Sequence, residues 1–464
     1  MALPTLSGGL LLMGLMRRSL TGPCLMWCLA GGHLLGLGLT SLIMAVGRWA
    51  GLSEHLMVLT ALVLLAISVT VGLWVSRTRE RRERSAFSQA QPTLAPINPA
   101  GWIRPALCGF LVLWAGLILL LVGSEILLRP LYPWDAWSAW SVKARVWAEL
   151  GADVDFVSFT QWLGSADTAV FTNEAWNYPE TLPLMQLWMT GWLKVWDPVA
   201  ANVPWFSCGV ALTVLIFQTC RLFGLSALAA AIVMFLLTSA PILTTQIALA
   251  GYADLWLCAA LVLFVACLTG WLDGWLSPVA ACLALALIAS LKLEGLIWMF
   301  VGAAAVAASH LPPRLRLRML ITAAGTFSLW WVVGGFSFSA AGFNFVVTPQ
   351  MVEIPYLGRH PLAFSNQLGS VVTALVELPN WHLLWVFGLP AMGLATWRSR
   401  GTAQGRGLAG FVLTGLGFLF VLFFFTQAAA WAESMTASNR LALHMVPAAG
   451  LWAALILATQ RSVR

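Results

Sequence analysis

Apolar runs of about 20 residues, the length a helix needs to cross about 30 Å of hydrocarbon, recur from one end of this chain to the other. They fall near 20–47, 56–75, 105–128, 203–222, 226–247, 254–272, 277–291, 294–309, 319–338, 381–397, 408–427 and 441–459, which makes twelve candidate helices. Only 9% of the 464 residues are charged and 60% are hydrophobic, whereas soluble domains carry about 25% charged residues. The expected fold class is therefore all-α, a polytopic transmembrane helix bundle of about twelve spans.

This frame removes several function classes. The eight cysteines all sit in apolar runs, so neither a disulfide framework nor a zinc site is expected. The net charge of +7 takes its meaning from the side of the membrane each residue occupies, and no nucleic-acid partner follows from it. No cleavable signal is expected, because the apolar stretch 10–16 precedes Arg17 and Arg18 and lacks a basic leader.

With a cytoplasmic N-terminus, most Lys and Arg fall on inner loops, including Arg314, Arg316 and Arg318, and most Asp and Glu fall outside. Both termini are then cytoplasmic, as expected for a multi-pass protein of a bacterial inner membrane. The apolar segment 182–196 is read as a helix at the outer interface, because Trp188, Trp192 and Trp196 repeat every four residues and a further span would invert every later basic loop. Three units are expected: a two-helix N-terminal unit over 1–76, a basic cytoplasmic linker over 77–104, and a core over 105–464 that includes the outer loop 129–181.

That loop carries the most informative stretch, residues 131–147. Trp137, Trp140, Ala144 and Trp147 recur at helical spacing, predicting a helix lying flat among lipid headgroups. Asp135 follows Pro133 at its start, where it is either a helix cap or a carboxylate able to take a proton from a hydroxyl or to hold a metal ion. Lys143 and Arg145 either attract a lipid phosphate or pair with Glu149 and headgroups. Glu180, in the segment Asn177-Tyr178-Pro179-Glu180, is singled out because the chain can return it to the membrane surface near Asp135.

Further charges mark the outer helix ends, where ionisable groups usually face a cavity or a partner. Asp254 follows Gly251 and Tyr252, Lys292 and Glu294 share the next outer turn, and Arg440 opens the last helix with His444 one turn on. Lys292 and Glu294 either pair with neighbours or face a ligand, and the planar fork of Arg440 suits a phosphate. Trp134 and Tyr178 can stack on sugar faces. His33, inside the first span, is read as a packing residue.

In order and placement these residues resemble the GT-C superfamily of membrane glycosyltransferases, including the bacterial group related to protein O-mannosyltransferases and lipid A aminoarabinose transferases. The motifs are Trp134-Asp135-Ala136-Trp137, Tyr178-Pro179, Gly251-Tyr252-Ala253-Asp254, Lys292-Leu293-Glu294-Gly295, and Arg440 with Pro447 downstream. The resemblance implies a polyprenyl-phosphate sugar donor and a glycan, lipid or protein acceptor. It gives Asp135 the role of base and, with Glu180, that of catalytic pair and of ligands to a divalent metal such as Mg or Mn. Lys292 and Arg440, with Lys143 and Arg145, would hold the donor phosphate, while Trp134, Tyr178, Asp254 and Glu294 would contact substrate.

Two other classes compete. A transporter or flippase of a lipid-linked or small polar solute fits the helix count but requires repeat symmetry and charges at mid-membrane. A non-catalytic assembly subunit would tolerate loss of Asp135.

Overall fold

The computed structural model describes residues 1–18, 20–84, 102–166, 169–191, 195–340, 343–354, 358–382 and 384–459. Among them, eight helices are long and apolar enough to cross a membrane, or nine if one bent pair is a single span. The principal helices are α1 (Ala2–Leu15), α2 (Gly22–Trp49), α3 (Glu54–Leu73), α4 (Ile103–Leu128), α5 (Ser141–Leu150), α6 (Thr181–Thr190), α7 (Val203–Leu222) and α8 (Ala227–Thr238). They continue with α9 (Pro241–Ala248), α10 (Asp254–Leu272), α11 (Pro278–Leu291), α12 (Leu293–His310), α13 (Pro313–Val333), α14 (Leu384–Ser399), α15 (Ala403–Phe425) and α16 (Ser438–Thr459).

Local chemistry sets many of the boundaries. Pro23, Pro204, Pro241 and Pro278 lie in the first turns of their helices, where a missing N–H costs nothing. Ser226, Ser277 and Thr402 accept backbone N–H groups as side-chain caps. The run expected as one span near 226–247 is broken at Ser239-Ala240, and α8 meets α9 at 66°.

The bundle is built around α10, whose residues from Asp254 to Gly270 are all buried. A helix apolar on every side has no face to offer water, and here α7, α11 and α16 pack around it. The N-terminal helices α1 and α2 pack against this body. Trp27 of α2 donates to Thr219 of α7 at 3.0 Å, and His33 lies between Thr5 and Ser207, 2.8 and 3.0 Å from their hydroxyls. Helix α1, absent from the expected spans, lies directly on α2, where a Cβ on Gly8 would strike the Gly32 carbonyl and one on Gly36 the Pro4 carbonyl. Small residues at such a crossing let two backbones touch.

Three expectations change. Helix α6, expected at the lipid interface, is buried against α2 and α5, with Trp188 only 3% exposed. The aromatic face of 131–147 is split: Trp134 and Trp137 are exposed, while Trp140 and Trp147 point into the protein. A four-stranded antiparallel meander, β1 (Phe336–Ala340), β2 (Phe343–Val347), β3 (Met351–Ile354) and β4 (Gly358–Pro361), not among the expected elements, is added to a chain that is mostly helical as expected. The alternation Phe336-Ser337-Phe338-Ser339 puts its aromatic rings on one face, and Phe338 stacks on Phe345 at 4.8 Å. Most of the expected linker, 85–101, and Trp192 lie outside the described residues.

The two ends of the bundle differ in chemistry. At one end the backbone N–H of Arg17 bonds the Trp275 carbonyl, Arg406 donates to the carbonyls of Ala308 and Ser309, and Gln404 meets Asp273. The other end gathers Asp135, Tyr252, Asp254, Lys292, Glu294 and Arg440.

Candidate functional site

The centre of that gathering is the carboxylate of Asp254, the first residue of α10 and 1% exposed. An isolated buried carboxylate is strongly disfavoured, and this one is met from three sides. Arg440 of α16 donates through Nε to Oδ2 at 2.8 Å, and its Nη2 stands in ion-pair contact with the same oxygen, also at 2.8 Å. Lys292, in the extended break between α11 and α12, approaches Oδ1 at 3.3 Å, and His444, one turn beyond Arg440, reaches Oδ1 at 2.8 Å through Nε2.

His444 is held in turn. The indole Nε1–H of Trp298 donates to His444 Nδ1 at 3.0 Å, so Nδ1 is the accepting nitrogen and Nε2 carries the proton given to Asp254. The sequence shows His444 beside Arg440, but nothing in it ties either to Trp298, 146 residues away.

Asp135 completes the cluster from the surface side. Its carboxylate accepts from Arg440 Nη2 at 2.8 Å and makes no cap bond to its own helix. The helix-cap alternative is thus replaced by an ion pair. A single π-helical turn, Ala136–Trp140, follows at once and leads into α5, a local irregularity often found at functional sites. The guanidinium of Arg440 also lies over the Tyr252 ring, 4.6 Å from its centroid. Tyr252 was legible only as a neighbour of Asp254 in the sequence.

Lys292 bridges to Glu294 Oε1 at 3.2 Å, while Glu294 Oε2 is buried without a hydrogen-bond partner among the described residues. Gly295 permits this turn, because a Cβ there would collide with the Ile288 carbonyl. Tyr178 stands edge-on to Trp140 at 5.0 Å, and burial pushes its phenol up to about 12, with Glu294 adding to the shift.

The remaining expected residues go elsewhere. Glu180 pairs with Arg48 Nη1 at 3.0 Å, and the same arginine holds Asp155 at 2.7 Å and the Val154 carbonyl at 2.9 Å while lying over Trp147. This fastens the outer loop to α2. Lys143, expected to hold phosphate, is 2% exposed and donates to the carbonyls of Trp176 and Tyr178 at 3.0 and 3.1 Å. Burial lowers its pKa to about 8 against the opposing pull of Glu180. Arg145 pairs with Glu149 at 2.9 Å on the exposed face, which is the alternative its spacing allowed. Trp134 is exposed and packs edge-on against Trp137 at 4.5 Å.

The expected metal pair, Asp135 and Glu180, is thus divided between two ion-pair clusters, each carboxylate taken by an arginine. As donors to one shared divalent cation these two residues do not fit. Among the described residues no group of three or more His, Cys, Asp or Glu is arranged to hold a metal ion. No family model, curated protein or solved structure matches the chain.

Proposed function

We propose that this protein is an integral membrane glycosyltransferase of GT-C type, moving a sugar from a polyprenyl-phosphate donor to an acceptor hydroxyl on the outer face of a bacterial inner membrane. The observation that carries the reading is Arg440, held between buried Asp254 and surface-side Asp135, with Lys292 on the same buried carboxylate. Two cations beside a partly exposed carboxylate, at the membrane end of a helix bundle, suit a lipid phosphate on one side and a hydroxyl on the other.

In the reaction, Asp135 takes the acceptor's O–H proton while that oxygen attacks the anomeric carbon. The bond from carbon to phosphate oxygen breaks, its electron pair staying on the lipid phosphate, where Arg440 and Lys292 stabilise the added charge in a site of low dielectric. A single displacement inverts the anomeric centre. Tyr178 and Glu294 border the same space, and exposed Trp134 offers a face for a sugar ring.

On this reading the end with Arg17, Arg18 and Arg406 is cytoplasmic. The bent pair α8–α9, with α11, α13 and α14, then brings the span count to twelve. A solute transporter is disfavoured by the position of the charges, at helix ends rather than at mid-membrane.

The test is transfer from radiolabelled polyprenyl-phosphate sugars by the reconstituted protein. Loss of transfer in Asp135→Asn and in Arg440→Ala is expected. Full transfer by both variants would remove the site assignment, and no transfer by the parent protein with any donor would return the transporter and assembly-subunit readings.

A further inference from the structure

Arg440 serves two carboxylates that are not equivalent. Asp254 is 1% exposed and also bonded to Lys292 and His444, so it has nowhere to go. The Asp135 side chain is 31% exposed, and its single ion pair among the described residues is the one to Arg440 Nη2. It approaches from the open side, on a residue that leads straight into a π-helical turn. Arg440 donates from Nε and Nη2, while its Nη1 makes no hydrogen bond among the described residues.

We propose that the Asp135 carboxylate occupies, in this state, the seat of the donor phosphate on Arg440, and that arrival of the phosphate displaces it. The inference rests on the glycosyltransferase reading and adds an order of events to it. A carboxylate and a phosphate oxygen seek the same N–H groups of a guanidinium, and both can be held by the same planar fork. The cluster already contains three carboxylates, Asp135, Asp254 and Glu294, against the two cations Arg440 and Lys292. A further anion deepens the excess of negative charge unless one carboxylate leaves, and Asp135, with its side chain 31% exposed against 25% for Glu294 and 1% for Asp254, is the most open of the three.

Displacement has two consequences. The guanidinium keeps its plane when Asp135 leaves, because Asp254 bonds its edge and Tyr252 lies against its face. Asp135, released from its cation, becomes free to accept a proton. A base tied to Arg440 in the empty site and freed by donor phosphate makes donor binding precede acceptor activation, so acceptor is not engaged productively without donor.

The experiment uses the full-length protein in nanodiscs, with farnesyl monophosphate as probe and farnesol as the uncharged control. Binding of the monophosphate, and not of farnesol, is expected to weaken in Arg440→Ala. In Asp135→Asn, and independently in Asp135→Ala, it is expected to tighten by about three- to tenfold, the scale of one partly exposed ion pair removed from competition. Binding that depends on Arg440 but is unchanged or weakened in both Asp135 variants overturns the shared seat and leaves the glycosyltransferase reading standing. Equal binding of monophosphate and farnesol, insensitive to Arg440, overturns that reading and the inference with it.

Discussion

Gly251 lies with its backbone directly against Ala136: a Cβ on Gly251 would collide with the Ala136 methyl, and its φ of +99° lies where L side chains rarely go. This contact joins the turn before α10 to the first residue after Asp135, and so brings two carboxylates 119 residues apart onto one arginine. Ala136 is itself fully buried, leaving no room for either partner to retreat. Gly251→Ala is expected to cost about 1–3 kcal/mol through strain and to part Asp135 from Arg440. The check is thermal unfolding in detergent alongside sugar transfer, with transfer falling at least about tenfold, since small misplacements of reacting groups cost rate steeply.

Among the described residues Asp254 has three ion-pair partners, Arg440, Lys292 and His444, around one buried carboxylate. Removing it takes away the buried anion that Arg440 and Lys292 share and leaves the first with Asp135 and the second with Glu294. Asp254→Ala is expected to destabilise the protein by about 3–5 kcal/mol, the usual result of breaking one side of a buried ion network. Lys292→Met should cost less in the Asp254→Ala background than in the parent protein, because the Lys292–Asp254 contact is already gone there. An equal cost of Lys292→Met in the two backgrounds, measured by thermal unfolding, would show that the two groups are not coupled.

Spans such as 105–128 and 254–272 were legible because hydrocarbon imposes a length and a composition that no surface helix imitates. The helix α1 was not, since its 14 residues fall short of a span and its close contact with α2 depends on Gly8 and Gly36, which carry no hydropathy. The meander at 336–361 escaped because a period-two pattern over five residues is a weak signal beside a dozen long apolar runs. In the site, Asp135, Asp254, Lys292, Glu294 and Arg440 could be named because charges at outer helix ends are expensive and need a reason. Apart from the neighbours Lys292 and Glu294, which of them meet could not be read, because the other pairings span 38 to 305 residues of sequence. Glu180 and Lys143 show the limit plainly: both are polar residues in the right loop, but one fastens that loop to Arg48 and the other caps two of its carbonyls.

The outer loop should show a peaked dependence of stability on pH. Lys143, lowered by burial to about 8 from 10.5, gives up its proton in the folded loop before it does so in the unfolded chain. Between those values the unfolded state binds more protons, so stability rises with pH, by up to about 3 kcal/mol. Tyr178, raised by burial to about 12 from 10.0, acts in the opposite sense, because above pH 10.0 the folded state retains a proton that the unfolded chain loses. Local stability should therefore climb from about pH 8, peak near pH 10 and fall toward pH 12. Limited proteolysis of the 151–175 region across this range measures it. Tyr178→Phe should abolish the falling limb, and a curve that only declines above pH 8 would contradict the buried state of Lys143.

Trp298 supports the site without touching any group placed on substrate. Its indole N–H occupies Nδ1 of His444, which leaves Nε2–H directed at Asp254. Trp298→Phe keeps most of the apolar volume but removes that donor, so His444 Nδ1 loses its partner in a fully buried position, at a cost of about 1–3 kcal/mol. The imidazole can then exchange tautomers and present a bare Nε2 lone pair to the Asp254 carboxylate, which repels it and loosens the anchor under Arg440. Transfer by Trp298→Phe should fall mainly in kcat, with KM for the donor changed less, because Arg440 and Lys292 remain in place to bind phosphate. A matching pattern in His444→Gln, and restoration of neither by higher donor concentration, would mark both as positioning residues. A rise in KM with unchanged kcat would instead place Trp298 on the donor's binding path.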